Sequence, residues 1–157
     1  MPKVLLEDNR PVRFKVIRAV YENLAIGEGM SEYSAKAISD ARTVYSLFSF
    51  LQLETKEHFI ALHLDIKNRI LCIDRVSVGT MTSSIIHPRE VFKTALLSSA
   101  ASLLLIHNHP SGDPTPSRED ILITEKLKGA GEIMGIALLD HVIIGDGYVS
   151  LKEKGYL

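Results

Sequence analysis

Apolar positions along this chain recur with two periods, and the places where one period gives way to the other mark the elements. From Val12 to Tyr21 the run alternates in its first half and is rich in branched and aromatic side chains, which predicts a strand. Asn9-Arg10-Pro11 ahead of it reads as a turn, and Gly27, Gly29 and Ser31 behind it as a loop. Between Ser34 and Leu51 the residues Ala37, Ile38, Ala41, Val44, Tyr45, Phe48 and Leu51 fall at helical spacing, so a helix is predicted there. Phe59–Ile66 and Ile70–Val78 are strand-like, and Lys67-Asn68-Arg69 between them suits the tight turn of an antiparallel hairpin. A second helix opens at His87-Pro88, where a proline in the first helical position loses no hydrogen bond. It carries Val91, Ala95 and Leu96 on one face and runs to about Ala101.

Leu103–Ile106 is short, continuous and apolar, the signature of a strand buried on both faces. A loop dense in Pro, Gly and Ser follows. Ser117 has the character of an N-cap, helix is expected to about Lys128, and Gly129 and Gly131 are candidate C-caps. Ile136–Ile144 reads as a strand interrupted by Asp140-His141, followed by an Asp146-Gly147 turn and Tyr148-Val149-Ser150. The order strand, helix, hairpin, helix, strand, helix, strand predicts an α/β (α+β) domain with a mixed central sheet flanked by helices. Residues 1–33 are expected to form an N-terminal extension with one strand, and residues 34–157 the domain itself.

Composition narrows the function. At 157 residues the chain fits one domain that buries roughly 70% of its unfolded surface and needs no staples. The single cysteine, Cys72, rules out an internal disulfide, points to a reducing compartment and excludes zinc sites built on two thiolates. A formal charge of −1 lacks the basic excess of a dedicated nucleic-acid binder, although it leaves room for a local patch. The longest mainly apolar stretch, Ala95–Ile106, is broken by serines and falls short of the ~20 residues that span a bilayer. The N-terminus turns acidic at Glu7-Asp8 and does not read as a signal peptide. A cytoplasmic protein is expected.

The chemistry gathers at residues 107–120. On an extended segment His107 and His109 project to the same face, and two imidazoles so placed can ligate one metal ion. Asp120, returning from the next helix, could be the third ligand. Three protein donors and one open corner are the pattern of a catalytic zinc site. His-x-His alone is a weak motif, since loop histidines commonly do nothing. Here the pair follows a buried strand at the end where α/β sheets place ligands, and a loop with Pro110, Pro114 and Pro116 holds it. Ser117-x-x-Asp120 is also a capping box, and cap and ligand can coexist because an acid in the first helical turn points back toward the preceding loop. Ser117 then lies where its hydroxyl could hydrogen-bond a reacting oxyanion. Glu54, Glu57, Asp113, Glu119 and Asp140 are equally open candidates for the general base. For Asp140-His141 the plainer account, a hydrogen-bonded buried pair or a strand end reaching solvent, is preferred over support of a metal-bound histidine. Cys72 reads as a small core residue, and His58, His63 and His87 carry no functional expectation.

At these residues the chain resembles a known family. His107-x-His109-Pro110, then Ser117-x-x-Asp120 with ten residues between His109 and Asp120, matches the JAMM motif of the JAB/MPN metalloproteases. The fuller run from His107 to Ser117 looks like the RadC-type branch. Gly79-Thr80, Pro88-Arg89-Glu90-Val91 and Leu139-Asp140-His141 agree with it, so the resemblance covers about residues 34–155. It implies a cytidine-deaminase-like fold, Zn²⁺ held by His107, His109 and Asp120, and Ser117 stabilising a tetrahedral intermediate. The family's glutamate precedes a strand that here is Glu57-His58-Phe59-Ile60-Ala61-Leu62-His63-Leu64-Asp65, so the resemblance selects Glu57 as the base. Longer RadC-type proteins carry an N-terminal helix-hairpin-helix module of the kind that touches DNA, and the roughly 33 residues ahead of the first helix here are too few for it.

The leading expectation is therefore a zinc-dependent hydrolase of peptide or isopeptide bonds with a peptide or protein substrate. A nucleic-acid-processing or DNA-repair accessory factor is the second reading, disfavoured by charge, and a non-catalytic metal-stabilised interaction module the third. No membrane partner is expected. A dimer is possible through the Val12–Tyr21 strand, which could pair with a partner chain or with the domain's own sheet edge.

Overall fold

The computed structural model describes Val20, residues 37–79 and residues 86–157. Apart from Val20, the strand expected over Val12–Tyr21, its flanking turn and loop, and the 1–33 extension lie outside the described residues.

The described elements are α1 (Ala41–Phe48), a short 3-10 helix (Ser49–Leu53), β1 (Glu57–Leu64), β2 (Ile70–Gly79), α2 (Pro88–Leu97), β3 (Ser102–Asn108), α3 (Arg118–Met134), β4 (Ala137–Gly145) and β5 (Gly147–Ser150). They build a mixed five-stranded sheet of order β2-β1-β3-β4-β5. β1 runs antiparallel to both β2 and β3, β3 pairs β4 in parallel, and β4 pairs β5 antiparallel. The parallel β3–β4 pair requires a crossover, which α3 supplies. The expected α+β domain with a mixed sheet is the one observed.

β3 is buried along its whole length, as its unbroken apolar run predicts. Leu104 and Ile106 face one layer with Val44, Leu47 and Phe48 of α1, while Leu103 and Leu105 face the other with Val91 and Phe92 of α2 and Ile123 and Leu127 of α3. Side chains alternate along a strand, so His107, in step with Leu103 and Leu105, points into the layer that contains α3. This parity places His107 on the side from which Asp120 arrives.

Several boundaries differ from the sequence expectation for identifiable reasons. The first helix starts at Ala41, not near Ser34, because Asp40 caps it by accepting from the Thr43 N–H at 2.7 Å. Ala37 and Ile38 continue the helical spacing but are tied to the hairpin turn, with the Ile38 N–H donating to the Asn68 carbonyl at 2.8 Å. α2 stops at Leu97, before Ala101. α3 runs through Gly129 and Gly131 to Met134 and ends on Gly135 in the left-handed region at φ 69°. Gly131 is a packing glycine: a Cβ there would strike the Ile136 carbonyl. β4 runs on through Asp140 and His141, which pair with Leu104 and Leu105 of β3 after a register shift at Leu139. The Lys67–Arg69 turn is as expected, with Asn68 at φ 57°.

Candidate metal centre

β3 delivers His107 at its carboxyl end, and the chain then leaves the sheet without leaving its edge. The His109 N–H still donates to the Ile144 carbonyl at 2.8 Å, and the Asp146 N–H donates to the Gly112 carbonyl at 2.6 Å. The loop is thereby stapled to the β4–β5 turn. This close approach needs Gly145, where any Cβ would collide with the backbone of Gly112 and Pro114. The loop returns to Ser117, which caps α3 in a reciprocal capping box: Asp120 N–H to Ser117 Oγ at 3.2 Å, Ser117 N–H to Asp120 Oδ2 at 2.7 Å. The Ser117 hydroxyl also donates to Asp120 Oδ2, at 2.6 Å. Cap and convergence coexist, because the same bonds that close the box turn the Asp120 carboxylate back toward the histidines.

The three side chains meet. His107 Nε2 lies 2.9 Å from His109 Nε2 and 3.2 Å from Asp120 Oδ1, and His109 Nε2 lies 3.4 Å from Asp120 Oδ2. One ligand atom from each residue falls within 4.8 Å of the other two, and among the described residues this is the one such group of three or more. Their chemistry fits a divalent ion of the zinc type, two imidazole nitrogens and one carboxylate oxygen. On His109, Nδ1 faces the Asp113 carbonyl at 2.7 Å. A carbonyl only accepts, so Nδ1 carries the hydrogen and Nε2 is left as the donor atom for a metal.

The electrostatics are those of a buried cluster seeking positive charge. Burial pushes the Asp120 carboxyl up, but the neighbouring imidazoles of His107 and His109 and the Ser117 hydroxyl outweigh it and hold Asp120 far below the usual carboxylate range. His109 is raised above the ordinary imidazole value by its hydrogen bond to Asp120, against the opposing effect of burial. His107, fully buried, is lowered by desolvation in spite of Asp120.

The group opens onto a cleft of about 730 Å³ lined by the donors and, among others, Lys56, Glu57, Gly79, Ser111, Ser117 and Glu119. Of the five candidate bases, only Glu57 and Glu119 line it. Glu57, at the start of β1, acts electrostatically on both histidines. Glu54 instead pairs His58 at 3.5 Å, and Asp113 closes a turn onto the Thr115 N–H at 2.9 Å. Asp140 accepts from the Ser150 hydroxyl at 2.6 Å, from the Lys152 N–H at 3.0 Å and from the His141 N–H at 2.7 Å. The plainer account thus holds for Asp140.

His141 is buried and hydrogen-bonded as well, but its partner is one of the candidate donors: its Nε2 lies 2.8 Å from His107 Nδ1 while its Nδ1 lies 2.6 Å from the Thr124 hydroxyl. Sequence reasoning also passed over Thr124 and Asn108. Thr124 sits one helical turn beyond Asp120, and that spacing was its only signal. Asn108 carried none beyond its place between two histidines. Cys72 is half-buried, its Sγ 3.1 Å from His63 Nδ1, and burial pushes its thiol up. His87 serves as the N-cap of α2, accepting from the Arg89 N–H at 3.2 Å.

An α+β domain with a His-His-Asp group at the carboxyl end of a buried strand, open to a cleft, defines the class of folds that can hold one metal ion at an accessible site. This chain belongs to the RadC-like JAB domain family, whose family model matches residues 38–156. It is 52% identical over 143 residues to a UPF0758 protein of Methanosarcina mazei, an alignment covering 90% of this chain and 62% of that relative. It is 52% identical over 149 residues to a UPF0758 protein of Methanococcoides burtonii, covering 94% of this chain and 65% of the relative. A UPF0758 protein of Caldanaerobacter subterraneus is 60% identical over 103 residues, 65% of this chain and 44% of the relative. The chain thus spans less than two thirds of the length of these curated relatives. The family and the donor group together fit a metallohydrolase. Among the described residues no helix is long and apolar enough to cross a membrane.

Proposed function

We propose that this domain is a zinc-dependent hydrolase of peptide or isopeptide bonds, with a peptide or protein as substrate and a cytoplasmic site of action. The observation that carries the reading is the convergence of His107, His109 and Asp120 at the wall of a cleft that Glu57 also lines. Bound zinc would polarise the scissile carbonyl and lower the pKa of the attacking water to about 7. His107, His109 and Asp120 would hold it, at the wall of the cleft. Glu57 takes the water's proton and passes it to the leaving amine, which restores the carboxylate for the next cycle. Ser117 hydrogen-bonds the developing oxyanion, for which its hydroxyl must turn away from Asp120 Oδ2. The near-neutral charge and the single half-buried cysteine accord with this setting.

Elemental analysis of the purified chain, with assays against peptide and isopeptide-linked substrates, tests the reading. Stoichiometric zinc is expected, lost in Asp120→Ala and retained in Glu57→Gln, with turnover abolished in both. A wild-type chain that takes up no metal overturns the site. Unchanged turnover in Glu57→Gln overturns the role of that glutamate.

A further inference from the structure

His141 is fully buried on β4, between the sheet and α3, and no step proposed above uses it. Its two ring nitrogens are both engaged, one on His107 and one on Thr124. The Thr124 hydroxyl in turn lies 2.5 Å from the Asp120 backbone carbonyl. These contacts close a ring that leaves one donor, His107, passes through His141 and Thr124, and returns to the main chain of another donor, Asp120.

The direction of every hydrogen bond in this ring follows from one fact. A backbone carbonyl can only accept, so the single Thr124 hydroxyl proton points at Asp120. Thr124 Oγ1 is then an acceptor toward His141, and His141 Nδ1 carries the hydrogen. A fully buried neutral imidazole has one N–H, so His141 Nε2 is bare and accepts. The hydrogen between the two rings therefore belongs to His107 Nδ1. That leaves His107 Nε2 as a lone pair, aimed at His109 and Asp120.

We infer that His141, held by Thr124, is a positioning residue of the metal centre: it keeps the hydrogen of His107 on Nδ1 and so presents Nε2 to the ion. In the opposite tautomer His107 would direct an N–H into the place the ion needs. The inference rests on the reading of His107, His109 and Asp120 as metal donors. It extends that reading to two residues outside the donor set, His141 and Thr124, anchored on the backbone carbonyl of Asp120. Such outer partners commonly change metal affinity by about 10–100-fold when removed.

The test is zinc affinity of the full chain by chelator competition, together with long-range ¹H–¹⁵N spectra of the metal-free chain, which report the tautomer of each ring. Wild type should show His107 protonated on Nδ1. His141→Leu should bind zinc about 10–100-fold more weakly. His141→Gln, whose carboxamide can accept from His107 and donate to Thr124, should recover most of that loss. Thr124→Val should weaken binding and Thr124→Ser should restore it. His63→Gln, which alters a different buried histidine, should leave zinc affinity unchanged. Should His141→Leu fail to fold, the Thr124 pair and the wild-type spectrum decide. Wild-type His107 carrying its hydrogen on Nε2 overturns the inference, as do His141→Leu and Thr124→Val binding as tightly as wild type. A wild-type chain that binds no zinc overturns instead the donor reading on which it stands.

Discussion

The side chain of Asn108 grips the backbone on both sides of Glu57: its Oδ1 accepts from the His58 N–H at 2.8 Å and its Nδ2 donates to the Lys56 carbonyl at 3.1 Å. The main-chain pairing of β1 with β3 begins only at Phe59, opposite His107. Asn108 thus adds one rung by side chain where the backbone of β3 turns toward β4, and that rung frames Glu57 at the cleft. Asn108→Ala should leave zinc content intact and lower turnover through kcat, because the donors stay in place while the carboxylate loosens. Loss of the two bonds costs about 1–3 kcal/mol, since each partner group is only partly buried. Metal analysis, thermal melting and steady-state kinetics on one preparation separate these effects.

Ser117 caps α3 and is also the proposed oxyanion donor, and two substitutions can pull those duties apart. Ser117→Ala should cost ~1 kcal/mol from the lost cap, while Ser117→Gly should cost only a few tenths. If the hydroxyl contacts the oxyanion, both lower kcat by roughly 10²–10³-fold irrespective of stability. A kcat that follows melting temperature, falling for alanine but not for glycine, would show Ser117 to be a cap alone.

Gly145 should tolerate no side chain. An alanine Cβ would meet the Gly112 and Pro114 backbone, and moving that backbone pulls on the loop that carries His109. Overpacking of this sort costs about 1–3 kcal/mol. Gly145→Ala should therefore melt earlier and bind zinc more weakly. Gly129→Ala, where the added Cβ meets nothing within 4 Å, should do neither.

The metal-free chain should lose stability as pH falls below neutral. Burial lowers His63 and His107, and lowers His141 well below the ordinary value of 6.5, so the folded state resists protons that the unfolded chain accepts. The unfolded state binds more protons as pH drops through about 6.5, and stability falls with it until the folded values are reached. His109, raised by Asp120, works in the opposite sense: its contribution is full below 6.5 and is lost as pH rises from there through its folded value. Below 6.5 the His109 contribution is already full, so the three lowered groups set the slope there, and stability rises from about pH 5 to pH 6.5. Urea titrations of the chelator-treated chain across that range should show it, and a flat profile would contradict the burial of these rings.

Much of the scaffold was legible because its signals are local. The unbroken run Leu103–Ile106 announced a strand covered on both faces, and Asn68 announced the hairpin turn. Element ends were less legible, since Asp40 and Gly135 win by capping bonds that compete with spacing and with nearer glycines. Spacing named the three side chains that converge, because strand parity and a capping box act within a few residues of each other. It could not choose among five acids for a base; the resemblance chose Glu57, and the fold then put Glu57 and Glu119 on the cleft.

By itself, then, the chain's order of residues determined its periodicities, the sheet-and-helix class, and a His-His-Asp set brought together by a short loop. Only the folded arrangement decided what surrounds that set. His141 reaches His107 across 34 residues of chain, and Asn108 reaches Lys56 across 52. Such contacts depend on which strands lie side by side and in what register. That arrangement is set by the packing of the whole sheet between its helix layers, and no window of sequence contains it.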